Sequence, residues 1–317
     1  MEKLVVLTGP TAVGKSKLSI ELAIRLNGEI ISADSMQVYK GMDIGTDKIK
    51  ESAMGGVPHH MIDILEPTEE FNAFEFKRRA KVLIDEIHSR GHISILVGGT
   101  GFYIQSVLYD VDFSEAEDEE ASDAYKDELY KISEEEGGVS RLHKMLTEVD
   151  PEYAADLHEN NVKRVIRALC YFHDTGEKMS EHNKNQRENA SPYDFFYFVL
   201  TDEREILYKR IEDRIDKMME EGLEDEVKGL MALNIDRNAT SMQALGYREM
   251  ISYLEGEITR DEAVELLKKN TRHFAKRQLT WFRREKTVTW IDKHEFDRDD
   301  NRVLTEILRI ISERWEI

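Results

Sequence analysis

The chain has a single cysteine, Cys170, so it can hold neither an internal disulfide nor a cysteine-built zinc cluster. No stretch approaches the roughly 20 consecutive apolar residues needed to cross a bilayer, and no membrane partner is expected. The opening residues, MEKLVVLTGPTAVGKS, reach glycine too soon for the apolar core of a secretory leader, which leads us to expect a cytoplasmic protein. Internal repeats, low-complexity linkers and heptad arrays are also missing. Basic residues are few beside acidic ones, 44 against 64, and the net charge of −20 taken as a sum argues against a nucleic-acid partner.

What the chain does have is enough apolar content for packed cores. At 317 residues and 40% hydrophobic, it suggests about two domains and excludes a disordered chain. Its charge is also unevenly placed. Residues 112–136 carry twelve acids against Lys126 and Lys131, half of the net charge in one segment. From Leu266 to Arg284 there is no acid at all, while Lys268, Lys269, Arg272, Lys276, Arg277, Arg283 and Arg284 are basic. The distribution therefore matters more than the sum.

Leu4–Thr8 reads as a buried strand that enters a glycine-rich turn and then a helix from about Ser16 to Leu26. Glu29–Ala33, Ile93–Val97, Phe195–Leu200 and Val288–Ile291 read as further strands, with an amphipathic helix over Phe74–Arg90. The alternation predicts an α/β fold, a parallel sheet flanked by helices. Residues 111–190 are charged and lack strand-like runs, which predicts a helical insertion, expected to be mobile, between core segments 1–110 and 191–317. After Thr201 the chain reads as almost all helix, with Leu207, Ile211, Ile215 and Met218 as an apolar stripe and Gly222 at its end.

Gly9-Pro10-Thr11-Ala12-Val13-Gly14-Lys15-Ser16 fits the phosphate-loop pattern G-x-x-x-x-G-K-[ST], in the strand-to-helix setting the pattern requires. Its glycines let backbone N–H groups approach phosphate oxygens, Lys15 can reach a terminal phosphate, and Ser16 can hold Mg²⁺. The motif does not distinguish a diphosphate from a nucleoside triphosphate. The usual partner strand ends in an aspartate. Here Ile93–Val97 ends in Gly98-Gly99-Thr100-Gly101, and the acid, Asp34, ends the other strand. Ligands of open parallel sheets lie beyond the strand carboxyl ends, so Asp34, Thr100 and Lys15 should share one crevice. Asp34 is then a metal-assisting acid, a general base or simply a turn cap.

These residues resemble the tRNA dimethylallyltransferase (isopentenyltransferase) family in its short bacterial form. The resemblance is carried by GPTAVGKS at Gly9–Ser16, ISADSMQVYKGMDIGTDK at Ile31–Lys48, HHMIDIL at His59–Leu65 and LVGGTGFY at Leu96–Tyr103. It continues with KRVIRAL at Lys163–Leu169, DTGE at Asp174–Glu177, QALGYRE at Gln243–Glu249 and KRQLTWFRR at Lys276–Arg284. It implies a P-loop NTPase-like core that moves a dimethylallyl group from its diphosphate to N6 of adenine-37, 3′ of the tRNA anticodon, with Mg²⁺. Asp34 would accept the amine proton. Lys15, the loop amides, Mg²⁺ on Ser16 and a helix arginine, Arg210 or Arg214, would neutralise the leaving diphosphate, and Thr100 would bond the diphosphate or the base. The resemblance places Asp34, Ser35, Met36 and Gln37 at the target base, with Gln37 and Gln243 as edge readers. It adds Thr100, Gly246, Tyr247, Arg248, Arg277 and Gln278 to the tRNA-facing set. No obligate protein partner is implied, and a monomer is expected. The sequence departs from the family at Ala121-Ser122-Asp123, where relatives often carry a tRNA-contacting arginine.

Two basic elements support an RNA partner independently. At 100° per residue, Lys269, Arg272, Lys276 and Arg283 share a stripe about 60° wide, apart from a packing face of Ala263, Leu267, Phe274 and Trp281. Lys163, Arg164 and Arg167 offer a second basic edge. His59-His60 lacks a spaced third metal ligand and is expected to pack beside the crevice, while Trp281, Trp290 and Cys170 are expected in cores. Two other functions compete: a small-molecule kinase using ATP through the same loop, and a nucleotide-switched RNA-binding protein that needs no base at Asp34.

Overall fold

A computed structural model describes residues 1–111 and 119–316, apart from the side chains of 119–123 and 185–188. Part of the acidic run, from Asp112 to Asp123, and the departure at Ala121-Ser122-Asp123 therefore fall outside the described residues and side chains.

Among those residues β1 (Lys3–Thr8), β2 (Gly28–Ser32), β3 (His59–His60), β4 (Ile93–Gly98), β5 (Asp194–Thr201) and β6 (Thr289–Asp292) form one sheet in the order β3-β2-β4-β1-β5-β6. Every pairing is parallel. The central strand is buried from Leu4 to Thr8, because helices cover both faces and an unbroken apolar run suits that position. On one face α1 (Lys15–Leu26) and α13 (Asp300–Ser312) bring Leu18, Leu22, Ile307 and Ile311 onto Val5, Leu7, Phe198 and Leu200. Helix α2 (Ala73–Ser89) is started by Asn72, whose side chain accepts the Glu75 N–H, and α3 (Gly101–Leu108) begins directly after β4.

The chain forms two compact units, Met1–Val107 with Tyr193–Ile317, and Leu108–Pro192. The second unit contains α4 (Glu119–Glu134), α5 (Gly138–Val149), α6 (Pro151–Ala155), α7 (Val162–Thr175) and α8 (Met179–Glu188). Leu129, Leu142, Leu146, Val165, Ile166 and Leu169 fill its core, and Cys170 is buried there. On α7, Lys163, Arg164 and Arg167 are exposed.

In the first unit β5 leads into α9 (Arg204–Glu221), α10 (Leu223–Met231), α11 (Tyr247–Leu254) and α12 (Arg260–Phe282). Leu207, Ile211, Ile215 and Met218 are the buried stripe of α9, and Gly222 ends that helix with φ 103°. Two tryptophan expectations need correction. Trp290 is 38% exposed, because β6 is an edge strand and its alternation turns Ile291 inward instead. Trp281 is only partly buried, and the core tryptophan is Trp315, at 2%.

Candidate active site

The strands β1, β2 and β4 end together, and the turns beyond them line a cavity of about 600 Å³ in the first unit. Thr11, Lys15 and Ser16 come from the loop after β1, Asp34 to Gln37 from the turn after β2, and Thr100 from the turn after β4. Crowding by the Ala33 backbone and the Gln278 side chain explains why glycines, not an acid, stand at the end of β4. A Cβ on Gly98 would stand 2.1 Å from the Ala33 carbonyl oxygen, and one on Gly99 would stand 2.2 Å from Nε2 of Gln278. The neighbouring strand exit carries the carboxylate instead.

Asp34 Oδ1 accepts the N–H groups of Met36 at 2.9 Å and Gln37 at 3.3 Å, a turn cap of the kind the sequence allowed. That bonding uses one oxygen, and the half-buried carboxylate still lines the cavity. The cap therefore fixes the group's orientation without consuming it. Lys15 Nζ lies over its own loop, donating to the carbonyls of Gly9 at 3.0 Å and Pro10 at 2.9 Å. Burial draws its pKa down to about 8, with Asp34 opposing the shift and Arg214 adding to it.

Both candidate arginines come from α9 and line the cavity, but they are held differently. Arg214 donates to Thr11 Oγ1 at 2.8 Å and to Asp47 at 3.0 Å, which ties α9 to the phosphate loop. Arg210 pairs with Asp202, the buried carboxylate at the end of β5, at 3.0 Å, and Asp202 also binds Arg298. Lys15, Lys17, Arg210, Arg214, Arg248 and Arg277 thus line the cavity beside two lining acids, Asp34 and Asp47, while Asp202 and Glu249 pair with Arg210 and Arg248 from outside the lining. Its apolar wall includes Ile215, Met218, Leu245, Leu267 and Phe274, none of which periodicity alone marks as more than packing.

The remaining expected site residues fall into three groups. Ser35, Met36, Gln243, Gly246 and Arg248 line the cavity, and Arg248 is exposed. Gln37 also lines it, although its amide is engaged at both ends, accepting from Ser32 Oγ and donating to the Thr46 carbonyl. Gln243 is exposed and spends its Nε2 on the Arg237 carbonyl. Tyr247 and Gln278, by contrast, are buried, with their polar atoms bonded inside the protein. Tyr247 donates to Glu226 at 2.6 Å. Gln278 accepts the Thr11 N–H at 2.9 Å and donates to the Gly99 carbonyl at 3.0 Å. Metal-type side chains form no cluster of three among the described residues. His60 instead binds Glu29, and His59 lines a small recess that also touches Lys15, Ser16 and Asp34.

On α12 the buried positions are Ala263, Leu267, Thr271, Ala275, Gln278 and Phe282. Two of these are polar, so a packing face drawn from aromatics alone is tilted by tens of degrees from the real one. The tilt leaves Arg272 on the flank, where it meets Glu212 of α9 at 2.5 Å, while Lys268 meets Asp216 at 2.6 Å. Lys269, Lys276, Arg277 and Arg283 are exposed and pair with no carboxylate among the described residues. The outer stripe remains cationic with one member fewer.

Comparison with known proteins gives one consistent picture. A sequence model described as IPP transferase matches residues 37–285. A tRNA dimethylallyltransferase of Lachnoclostridium phytofermentans is 54% identical over 314 residues, covering 99% of both chains. One of Bacillus cereus is 51% identical over all of this chain and 96% of its own. Among solved structures, a tRNA delta(2)-isopentenylpyrophosphate transferase of Staphylococcus epidermidis is 43% identical with a TM-score of 0.73, covering 99% of this chain and all of that one. A eukaryotic dimethylallyltransferase acting on tRNA is 30% identical with a TM-score of 0.83, over 99% and 81% of the two chains.

Proposed function

The chain belongs to the IPP transferase family, and from that premise we propose that it transfers a dimethylallyl group from dimethylallyl diphosphate to N6 of tRNA adenine-37, 3′ of the anticodon, releasing diphosphate. The observation that carries this reading is that Asp34 shares one cavity with Lys15 and Ser16, while β4 ends without a carboxylate.

The exocyclic amine of adenine is a weak nucleophile because its lone pair is delocalised into the ring. As N6 bonds to the allylic carbon and the carbon–oxygen bond to diphosphate breaks, the amine must lose a proton. Asp34 accepts it through the oxygen that the turn leaves uncommitted. Charge gathering on the diphosphate is met by the loop N–H groups, Lys15 and Arg214, with Arg210 alongside. Thr100, at the β4 exit, can bond the diphosphate or the base. The isoprenoid tail fits the apolar wall of Ile215, Met218, Leu267 and Phe274.

A Mg²⁺ ion on Ser16 would share the neutralisation of the diphosphate. The donor set suits that role, because Mg²⁺ takes few protein ligands and is completed by substrate phosphate and water. The tRNA backbone would follow the exposed side of α12, with Lys163, Arg164 and Arg167 of α7 as further phosphate contacts. No helix among the described residues is long and apolar enough to cross a membrane. The proposed enzyme is a monomer that works on tRNA in the cytoplasm. The test is mass spectrometry of tRNA nucleosides after incubation with dimethylallyl diphosphate. N6-dimethylallyladenosine is expected, and unmodified adenosine at full occupancy of both substrates would reject the reading.

A further inference from the structure

The loop that joins the β2 exit to the rest of the cavity is held by a carboxylate from a distant helix. Glu226, on α10, accepts three consecutive backbone N–H groups: Asp43 at 2.9 Å and Ile44 at 2.8 Å on Oε2, and Gly45 at 3.1 Å on Oε1. Its Oε1 also accepts the hydroxyl of buried Tyr247 at 2.6 Å. Successive N–H groups converging in this way form an anion nest. Here the resident anion belongs to the protein. The fit is close on the other side too, since a Cβ on Gly45 would stand 2.5 Å from the Tyr247 ring.

Directly after the nest, the chain becomes the cavity wall. Gly45, Thr46 and Asp47 line the cavity. The Thr46 carbonyl holds Gln37 Nε2 at 3.2 Å, and Asp47 holds Arg214, which bonds Thr11 of the phosphate loop. One side of the loop is thus tied to the Asp34–Gln37 turn and the other to the diphosphate arginine. Both ties begin within two residues of the nest, and the Asp47 N–H bonds back to the carbonyl of Ile44 at 3.0 Å.

We infer that Glu226 is a positioning residue whose carboxylate, acting as a built-in anion for the 43–45 nest, sets Arg214 and the phosphate loop for diphosphate binding. It does not line the cavity and works through Asp47 and Arg214. The inference rests on the transferase reading only for the identity of the diphosphate ligand.

The test uses the full chain, inorganic diphosphate as the probe, and Glu226→Ala. Alanine keeps Cβ, and acetate supplies the two carbons and two oxygens it lacks. Loss of a charged acceptor shared by several donors predicts diphosphate affinity weaker by roughly ten- to a hundredfold. Acetate at tens of millimolar should restore most of it in the variant and leave wild type unchanged. Binding within twofold of wild type, or a folded variant that acetate fails to restore, would overturn the inference. If Glu226→Ala does not fold, Glu226→Gln keeps the shape but turns an amide N–H₂ toward at least one nest donor. It should bind diphosphate about three- to tenfold more weakly, and wild-type affinity there would equally overturn the proposal. Diphosphate binding by wild type with no product on tRNA would reject the transferase reading and leave the nest intact.

Discussion

The side-chain oxygen of Gln278 accepts the backbone N–H of Thr11 at 2.9 Å across the top of the sheet, while the same amide's nitrogen donates to Gly99. Helix α12 is therefore bonded to the phosphate loop and to the end of β4 at once. Its inward face positions the site, and its outward face exposes Lys269, Lys276 and Arg283.

That relationship separates two roles of one helix. Gln278→Leu, similar in volume but without polar atoms, leaves the Thr11 N–H and the Gly99 carbonyl unpaired. Each unmet buried group costs about 1–3 kcal/mol. The variant should lose thermal stability and diphosphate affinity, while the salt dependence of its tRNA affinity stays as in wild type. A changed salt slope with normal diphosphate binding would return Gln278 to the RNA-contacting set.

The carboxylate of Asp34 is held on one oxygen and available on the other. Asp34→Asn keeps an acceptor for the Met36 N–H and removes the base. The expected result is normal tRNA binding with transfer slower by roughly 10²–10⁴. Single-turnover measurement is the check, because slow product release would otherwise hide the effect. A near-normal rate would leave Asp34 with the turn alone.

On the proposed function, Lys15 gives diphosphate binding a pH dependence whose sign is fixed by its burial. With the pKa drawn down to about 8, the ammonium is charged below that value and lost above it. Diphosphate affinity should hold to about pH 8 and then fall, by up to about tenfold per pH unit if only the charged form binds. Lys15→Met should bind weakly at every pH and lack this decline. Stability runs the other way. A lysine whose folded pKa lies below its unfolded value opposes folding while charged, so this part of the stability rises as pH climbs from about 8 toward 10.5. Calorimetric titration across this range, with a thermal melt at each pH, tests both signs.

The parts of this site that the sequence makes legible are local. Gly9 to Ser16 declares itself because spacing, strand and helix adjoin, and Asp34 because it ends a strand beside that loop. The parts that stay hidden depend on distance along the chain. Gln278 and Thr11 are 267 positions apart, and no periodicity marks a helical glutamine as a clamp on a loop. Tyr247 and Glu226 look like an aromatic in a motif and an acid on a charged helix until Asp43, Ile44 and Gly45 meet them. Trp290 misleads for a related reason, since a four-residue strand does not say whether it lies at the edge or the centre. Arg272 belongs to the cationic stripe by angle and to Glu212 by contact, which only the packing of α9 on α12 decides.

The contact between Arg272 and Glu212 sets the expected behaviour of the cationic outer face of α12. Lys269 and Lys276 are exposed without carboxylate partners among the described residues, whereas Arg272 already has one. A phosphate that meets an unpaired cation releases a counterion. A phosphate competing with Glu212 for Arg272 gains less, because the existing pair must loosen first. Replacing Lys269 and Lys276 together by alanine should flatten the log–log salt slope of tRNA affinity by about 1.4 to 1.8, taking roughly 0.7 to 0.9 per contact. Arg272→Ala should flatten it by less than one contact's share and leave Glu212 as an uncompensated carboxylate beside the stripe, lowering affinity at low salt. Diphosphate binding should be unaltered in the double lysine variant, since neither side chain lines the cavity. Measuring tRNA affinity against salt for both variants decides the matter. An unchanged slope in the double variant would make the outer face of α12 a solvated surface, and the basic edge of Lys163, Arg164 and Arg167 would then have to carry the RNA.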